Sequence, residues 1–238
     1  MNTEIVIENL CKNFGTKKAL NQVSFKIEEG MFGLLGRNGA GKTTLMRILA
    51  TLLHKSAGNI TICGIPVEQS KEIRKIVGYL PQDFSVYPNM SVYEAMDYLG
   101  VLSNLSKSVR KERIFKLLKL VNLDDCHKVK VKALSGGMRR RLGIAQAILH
   151  EPKVLIVDEP TAGLDPEERV RFRNLLCEIA QNRIVLLSTH IVEDIEKTCK
   201  QIAVLNHGEI LYFGTLQDFV GDQEGLEEAY MKRMEGQS

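Results

Sequence analysis

Three features of the sequence predict an α/β fold. Strand-like segments alternate with helical ones, several of the strands are apolar at every position, and a glycine-rich turn joins one such strand to an amphipathic helix. The expected architecture is a mainly parallel sheet covered by helices on both faces, with an N-terminal antiparallel β subdomain and an inserted helical subdomain. The chain has 238 residues, 44% apolar and 26% charged, which suits one large folded domain and excludes a disordered or fibrous chain. A net charge of +3, from 32 basic and 29 acidic residues, argues against holding nucleic acid by bulk charge, and no nucleic-acid partner is expected. The longest apolar runs are four residues, far below the roughly 18 needed to cross a membrane. Residues 1–4 lack the basic flank and apolar stretch of a secretory signal. Five scattered cysteines with no C-x-x-C pair read as reduced thiols in a cytosolic protein rather than a zinc site.

Taken in order, residues 4–8 and 23–27 place apolar side chains at period two, as half-buried strands do. Residues 31–35 form a continuous apolar run, and Leu45, Ile48, Leu49 and Leu52 then recur at helical spacing, giving strand, loop, helix. Residues 59–62 and 76–80 read as further strands. The strand signal then vanishes over about 88–150. Ile114, Leu117, Leu118 and Val121, and later Met138, Leu142, Ala145 and Leu149, follow a helical period, so this stretch is read as the helical insertion. Alternation returns with a strand at 154–157, a helix through Phe172, Leu175, Leu176 and Ile179, strands at 184–187 and 201–205, and a hairpin strand at 209–213. Residues 221–238 are polar and read as a C-terminal tail, a terminal helix or loosely held chain, so residues 1–220 make the single domain.

The loop after residues 31–35 is Gly36-Arg37-Asn38-Gly39-Ala40-Gly41-Lys42-Thr43, which matches G-x-x-x-x-G-K-[ST] at every fixed position. Its glycines let backbone N–H groups turn toward phosphate oxygens, Lys42 supplies a point charge and Thr43 a hydroxyl for Mg²⁺. The helix that follows aims its positive end at the same anion. The acidic partner stands at the end of the strand at 154–157, where Asp158 and Glu159 emerge together. In a P-loop NTPase core an acid at that place holds Mg²⁺, and a second acid can polarise the attacking water.

A third motif decides the family. Leu134-Ser135-Gly136-Gly137-Met138 opens a helix and precedes the basic run Arg139-Arg140-Arg141, roughly 20 residues before the acidic strand. Together with the phosphate loop and Asp158-Glu159, this resembles the ATP-binding cassette (ABC) ATPases, from about residue 4 to residue 220. Gln82, Asp165 in Gly163-Leu164-Asp165-Pro166, and His190 in Ser188-Thr189-His190 occur in the family's order, and Phe14 lies where the family stacks an aromatic on adenine.

The resemblance implies ATP and Mg²⁺ as cofactors. Gly36, Arg37, Asn38, Gly39, Ala40, Gly41, Lys42, Thr43, Thr44 and Gln82 would hold nucleotide, with Thr43, Gln82 and Asp158 on the metal. Lys42, Glu159 and His190 would carry catalysis, Glu159 as general base and His190 at the γ-phosphate. Ser135, Gly136 and Gly137 would complete the site of a second ATPase domain in a head-to-tail homodimer or paired dimer, with Asp165 at that interface. Met138 and Gly163 depart from the family's usual glutamine and serine, and neither change removes a phosphate ligand. The resemblance also implies separate transmembrane permease subunits, docked near Phe84, Tyr87 and Tyr93, with the ATPase on the inner face of the membrane. The style of the motifs is closest to bacterial exporters. A soluble ATPase in cofactor assembly and an importer subunit are the alternatives, and the substrate is not legible.

Overall fold

The computed structural model describes residues 3–235. Two sheets carry the fold. The smaller is antiparallel and contains β1 (Glu4–Phe14), β2 (Lys17–Glu28), β4 (Ala57–Ile62) and the short β5 (Ile65–Pro66), in the order β2-β1-β4-β5. The larger has six strands in the order β10-β9-β3-β8-β7-β6: β3 (Gly30–Leu35), β6 (Val77–Leu80), β7 (Val154–Asp158), β8 (Ile184–Thr189), β9 (Gln201–Asn206) and β10 (Glu209–Thr215). All its neighbours run parallel except the hairpin β9-β10.

Burial of the central strands on both faces follows from their composition. In β7, Val154 and Ile156 join a core shared with the antiparallel sheet and α1 (Lys42–Leu49), while Leu155 and Val157 face a second core built with the helices on the other side. Each of these four side chains is fully buried. A period-two strand with two apolar faces can be stable only between two layers, which is why the run lacks polar interruptions.

The helical insertion contains α3 (Val92–Leu102), α4 (Lys107–Leu120) and α5 (Gly136–Ala147). A capping box starts α3: Glu94 N–H donates to Ser91 Oγ at 3.2 Å and Ser91 N–H to the Glu94 carboxylate at 2.7 Å. Val92, Met96, Ile114, Leu118 and Leu142 then carry the insertion into the second core. The remaining helices are α2 (Ser70–Ile76), α6 (Pro166–Ile179), α7 (Val192–Thr198), α8 (Leu216–Val220) and α9 (Leu226–Glu235).

Three details differ from the sequence reading. The helix after the phosphate loop ends at Leu49, and Leu52 is exposed, because the chain turns at Thr51 with a φ of 58°. The strands of the first hairpin are longer than the period-two signal, since register shifts along β1-β2 interrupt the alternation. Of the two forms open to residues beyond Gly221, the structure has the helix. Leu226, Ala229, Tyr230 and Met234 of α9 are buried against the second core, and Arg233 lies over the rings of Phe219 and Tyr212. No described helix is long and apolar enough to cross a membrane.

Candidate active site

The loop between β3 and α1 wraps one end of a cavity of about 820 Å³. Gly41 adopts a φ of 113°, and a Cβ there would come within 2.7 Å of the Ala19 carbonyl, so only glycine fits where the loop passes under β2. Asn38, Gly39, Gly41, Lys42, Thr43 and Thr44 line the cavity together with Phe14, Gln82 and Glu159. Gly36 and Ala40 are buried behind the loop, and the Arg37 side chain is exposed away from the cavity lining. Arg37 contributes its carbonyl instead, which accepts from Lys42 Nζ at 3.3 Å.

Lys42 is 4% exposed, and its ammonium is held by the Gly36 carbonyl at 2.6 Å and by Glu159 Oε1 at 3.0 Å. The second contact is one of charge, without hydrogen-bond alignment. The other carboxylate oxygen of Glu159 lies 2.7 Å from His190 Nδ1. Lys42, Glu159 and His190 thus form one chain of contacts from the cavity floor to the exposed His190 ring. Glu159 itself sits at a left-handed φ of 49°, with its N–H donating to the Ser188 carbonyl at 3.0 Å. That turn lifts the carboxylate out of the sheet end, and backbone of this kind is held only where surrounding contacts impose it.

Asp158 lies beneath, fully buried. The Ser188 hydroxyl donates to Oδ1, and Oδ2 has no partner among the described residues. Burial pushes its carboxyl pKa up; the Ser188 and Thr43 hydroxyls oppose that shift, Glu159 reinforces it, and Lys42 opposes it. An unsatisfied buried carboxylate oxygen with the Thr43 hydroxyl beside it suits a hard cation with oxygen ligands.

The signature residues lie elsewhere. Ser135 caps α5, accepting from Met138 N–H at 3.1 Å, and Ser135 and Gly136 are exposed, outside the cavity lining. Gly137 is buried against α6, where an added Cβ would stand 2.5 Å from Glu168 Oε2. Met138, the departure from the usual glutamine, packs on the second core. Asp165 caps α6, accepting from Glu168 N–H at 2.8 Å, with Pro166 in the first turn. Farther along α5, Arg140 donates to the carbonyls of Pro81 and Gln82, and Arg141 pairs with Glu168.

The family described as "ABC transporter" matches residues 20–162. The chain belongs to the ABC transporter family. It is 40% identical over 219 residues (92% of the chain, 73% of the relative) to the uncharacterised ABC transporter ATP-binding protein YxlF of Bacillus subtilis. It is 37% identical (91% and 67%) to the Nod factor export ATP-binding protein I of Cupriavidus pinatubonensis, and 33% identical (89% and 69%) to the linearmycin resistance ATP-binding protein LnrL of Bacillus subtilis. The chain spans between 60% and 74% of the length of its curated relatives. A solved ATP-binding subunit of an ABC transporter superposes with a TM-score of 0.87 at 28% identity, covering 98% of this chain and 100% of that one. CbiO1 from Clostridium perfringens, part of the complex cbiONQ, superposes with 0.85 at 27% identity, covering 98% and 94%. The fold is that of the P-loop NTPases, and the chain is an ABC ATPase subunit.

Sequence reasoning missed part of this ABC ATPase's cavity wall. Lys17, Lys18 and Ala19 of the first hairpin and His207-Gly208 of the β9-β10 turn also line it. Gly208 ties the wall together, its N–H donating to the Ala40 carbonyl at 2.9 Å and its carbonyl accepting from Asn21 N–H at 2.8 Å. Of the aromatics expected to dock a partner, only Tyr87 is exposed, edge-on to the exposed Tyr98 at 5.4 Å between centroids. The Phe84 ring packs toward Gly143 of α5, and Tyr93 packs beside Phe115.

Proposed function

We propose that this chain binds ATP with Mg²⁺ in the cavity between the phosphate loop and Glu159, dimerises head to tail on binding, and drives export through separate membrane subunits. The observation that carries the reading is the contact chain that runs from Lys42 and Glu159, in the lining of a cavity walled by Phe14 and Gln82, to the exposed His190. Phe14 is half exposed, with Lys12 Nζ over the ring at 4.9 Å, and offers a stacking face to adenine. Backbone N–H groups of residues 38–44 receive the phosphates. Asp158, Thr43 and Gln82 would hold Mg²⁺, which supplies charge neutralisation at the β- and γ-phosphate oxygens.

Before nucleotide enters, Glu159 is held by Lys42. A γ-phosphate competes for the same ammonium, and drawing Lys42 off releases Oε1 to accept a proton from the attacking water. His190 keeps the other oxygen in place through this change. Ser135 and Gly136 are exposed and lie outside the lining of their own chain's cavity, which supports their completing the site of a second copy. The exposed Tyr87–Tyr98 pair is the surface offered to a membrane subunit, which would hold the ATPase at the inner face of the membrane. Relatives whose names carry Nod factor export and linearmycin resistance share 33–37% identity with the chain, and this favours export.

Glu159→Gln tests the reading. Removing a general base costs about 10²–10⁴ in rate, so turnover should nearly vanish while ATP is still bound, and a nucleotide-trapped dimer should accumulate in gel filtration. Turnover at half the wild-type rate or more means Glu159 is not the base.

A further inference from the structure

Beneath the candidate active site lies a second group of buried polar side chains to which the mechanism assigns no role. Asp194 in α7 is fully buried, Thr161 is 1% exposed and Arg173 in α6 is 8% exposed. The Thr161 hydroxyl donates to Asp194 Oδ2, Arg173 Nη1 lies 3.4 Å from Asp194 Oδ1, and the same Nη1 lies 2.9 Å from Glu193. The Thr198 hydroxyl donates to the Asp194 carbonyl.

Their positions along the chain matter. Thr161 is two residues after Glu159, and Asp194 is four residues after His190. The Thr161–Asp194 bond and the Glu159–His190 contact are therefore two rungs between the same two segments, one leaving β7 and the other leaving β8. With Asp194 also held from α6 by Arg173, the lower rung ties together the two segments that carry the upper two side chains.

We propose that Asp194 and Thr161 are positioning residues that set the geometry of Glu159 against His190. This rests on the reading of Glu159 as general base. A buried, charge-assisted hydrogen bond suits the task, because it is directional and has no water competing for it.

The test is steady-state and single-turnover ATP hydrolysis by Thr161→Val, which keeps the shape and removes the donor. A misplacement of about 1 Å can cost about 10²-fold in rate, so kcat should fall by about 10- to 100-fold, with KM for ATP held within about twofold. Thr161→Ser, which keeps the hydroxyl, should restore kcat. In a Glu159→Gln background the same Thr161→Val change should cost less than about threefold, because the group it positions is already gone. A folded Thr161→Val protein at wild-type kcat overturns the proposal, as does a full additive loss in the Glu159→Gln background. Glu159→Gln retaining turnover overturns the underlying reading instead, so the two failures are distinguishable. Should Thr161→Val lack a cooperative thermal transition, Asp194→Asn decides. It weakens the rung from charge-assisted to neutral and should lower kcat about 3- to 10-fold at unchanged KM; wild-type kcat in that variant overturns the proposal.

Discussion

The phosphate loop and the signature helix are both glycine-rich turns at helix N-termini, yet they are built in opposite ways. The first is closed upon its own chain: Lys42 is buried between the Gly36 carbonyl and Glu159, the loop is pinned by Gly208, and the carbonyl of Ala19 lies close over Gly41. The second is open. Ser135 caps its own helix and otherwise faces solvent, while the turn is supported from behind by Glu168 against Gly137. One turn holds its charges in reserve for an anion that enters the cavity; the other presents donors outward, with nothing among the described residues to receive them.

The sharpest way to break that contrast is to mix two inactive variants. In the proposed head-to-tail dimer, Lys42→Ala removes the closed half and Ser135→Arg blocks the open half, so neither homodimer would keep an intact site. In a heterodimer both lesions would fall in one of the two composite sites and the other would stay whole, so the mixture should trap ATP where each variant alone does not. No trapping by the mixture would return both motifs to a single-chain site.

A smaller effect is expected at Gly137. A Cβ there meets a carboxylate that is already paired with Arg141 and Arg171. Overpacking of this kind costs about 1–3 kcal/mol, more than the helix-propensity gain of up to about 1 kcal/mol. Gly137→Ala should lower the thermal midpoint and dimer formation while leaving ATP binding to the monomer intact, and adding Glu168→Ala should recover part of the stability. Equal midpoints for Gly137→Ala and wild type would show that the support behind the signature turn is soft.

The smallest change belongs to the closed half. Phe14→Ala removes a stacking contact worth about 0.5–1.5 kcal/mol, a loss of about 2- to 12-fold in ATP affinity. Because a ring face does not read the hydrogen-bonding edge of the base, the loss for GTP should be similar. Competition binding measures both, and unchanged ATP affinity would place the adenine elsewhere.

The closed half was legible in the sequence because its residues are contiguous or follow strands that are apolar at every position. That β3, β7 and β8 are strands, with Asp158, Glu159 and His190 at the ends of the last two and Lys42 opening the helix after the first, follows from that pattern. What escaped came from distant segments or from local backbone. Lys17, Lys18 and His207 reach the cavity only because two hairpins fold over the phosphate loop. The Thr161–Asp194–Arg173 group joins three segments that share no motif. Leu52 continues a helical period that the left-handed Thr51 interrupts. In α9 the polar composition leaves helix and loose chain both open, although Leu226, Ala229, Tyr230 and Met234 recur at helical spacing and are buried.

Arg140 joins the two halves. Its guanidinium holds the carbonyls of Pro81 and Gln82 from a helix whose first turn is the signature. A rigid α5 then cannot shift without pulling on the segment that carries Gln82, and an adjustment at Gln82 is felt at Ser135. Linkage of this kind is reciprocal in free energy: whatever nucleotide contributes to orienting the outward-facing turn, a partner seated on that turn returns in affinity for nucleotide. In the proposed head-to-tail dimer, these two carbonyl groups would couple nucleotide binding to pairing from within a single chain.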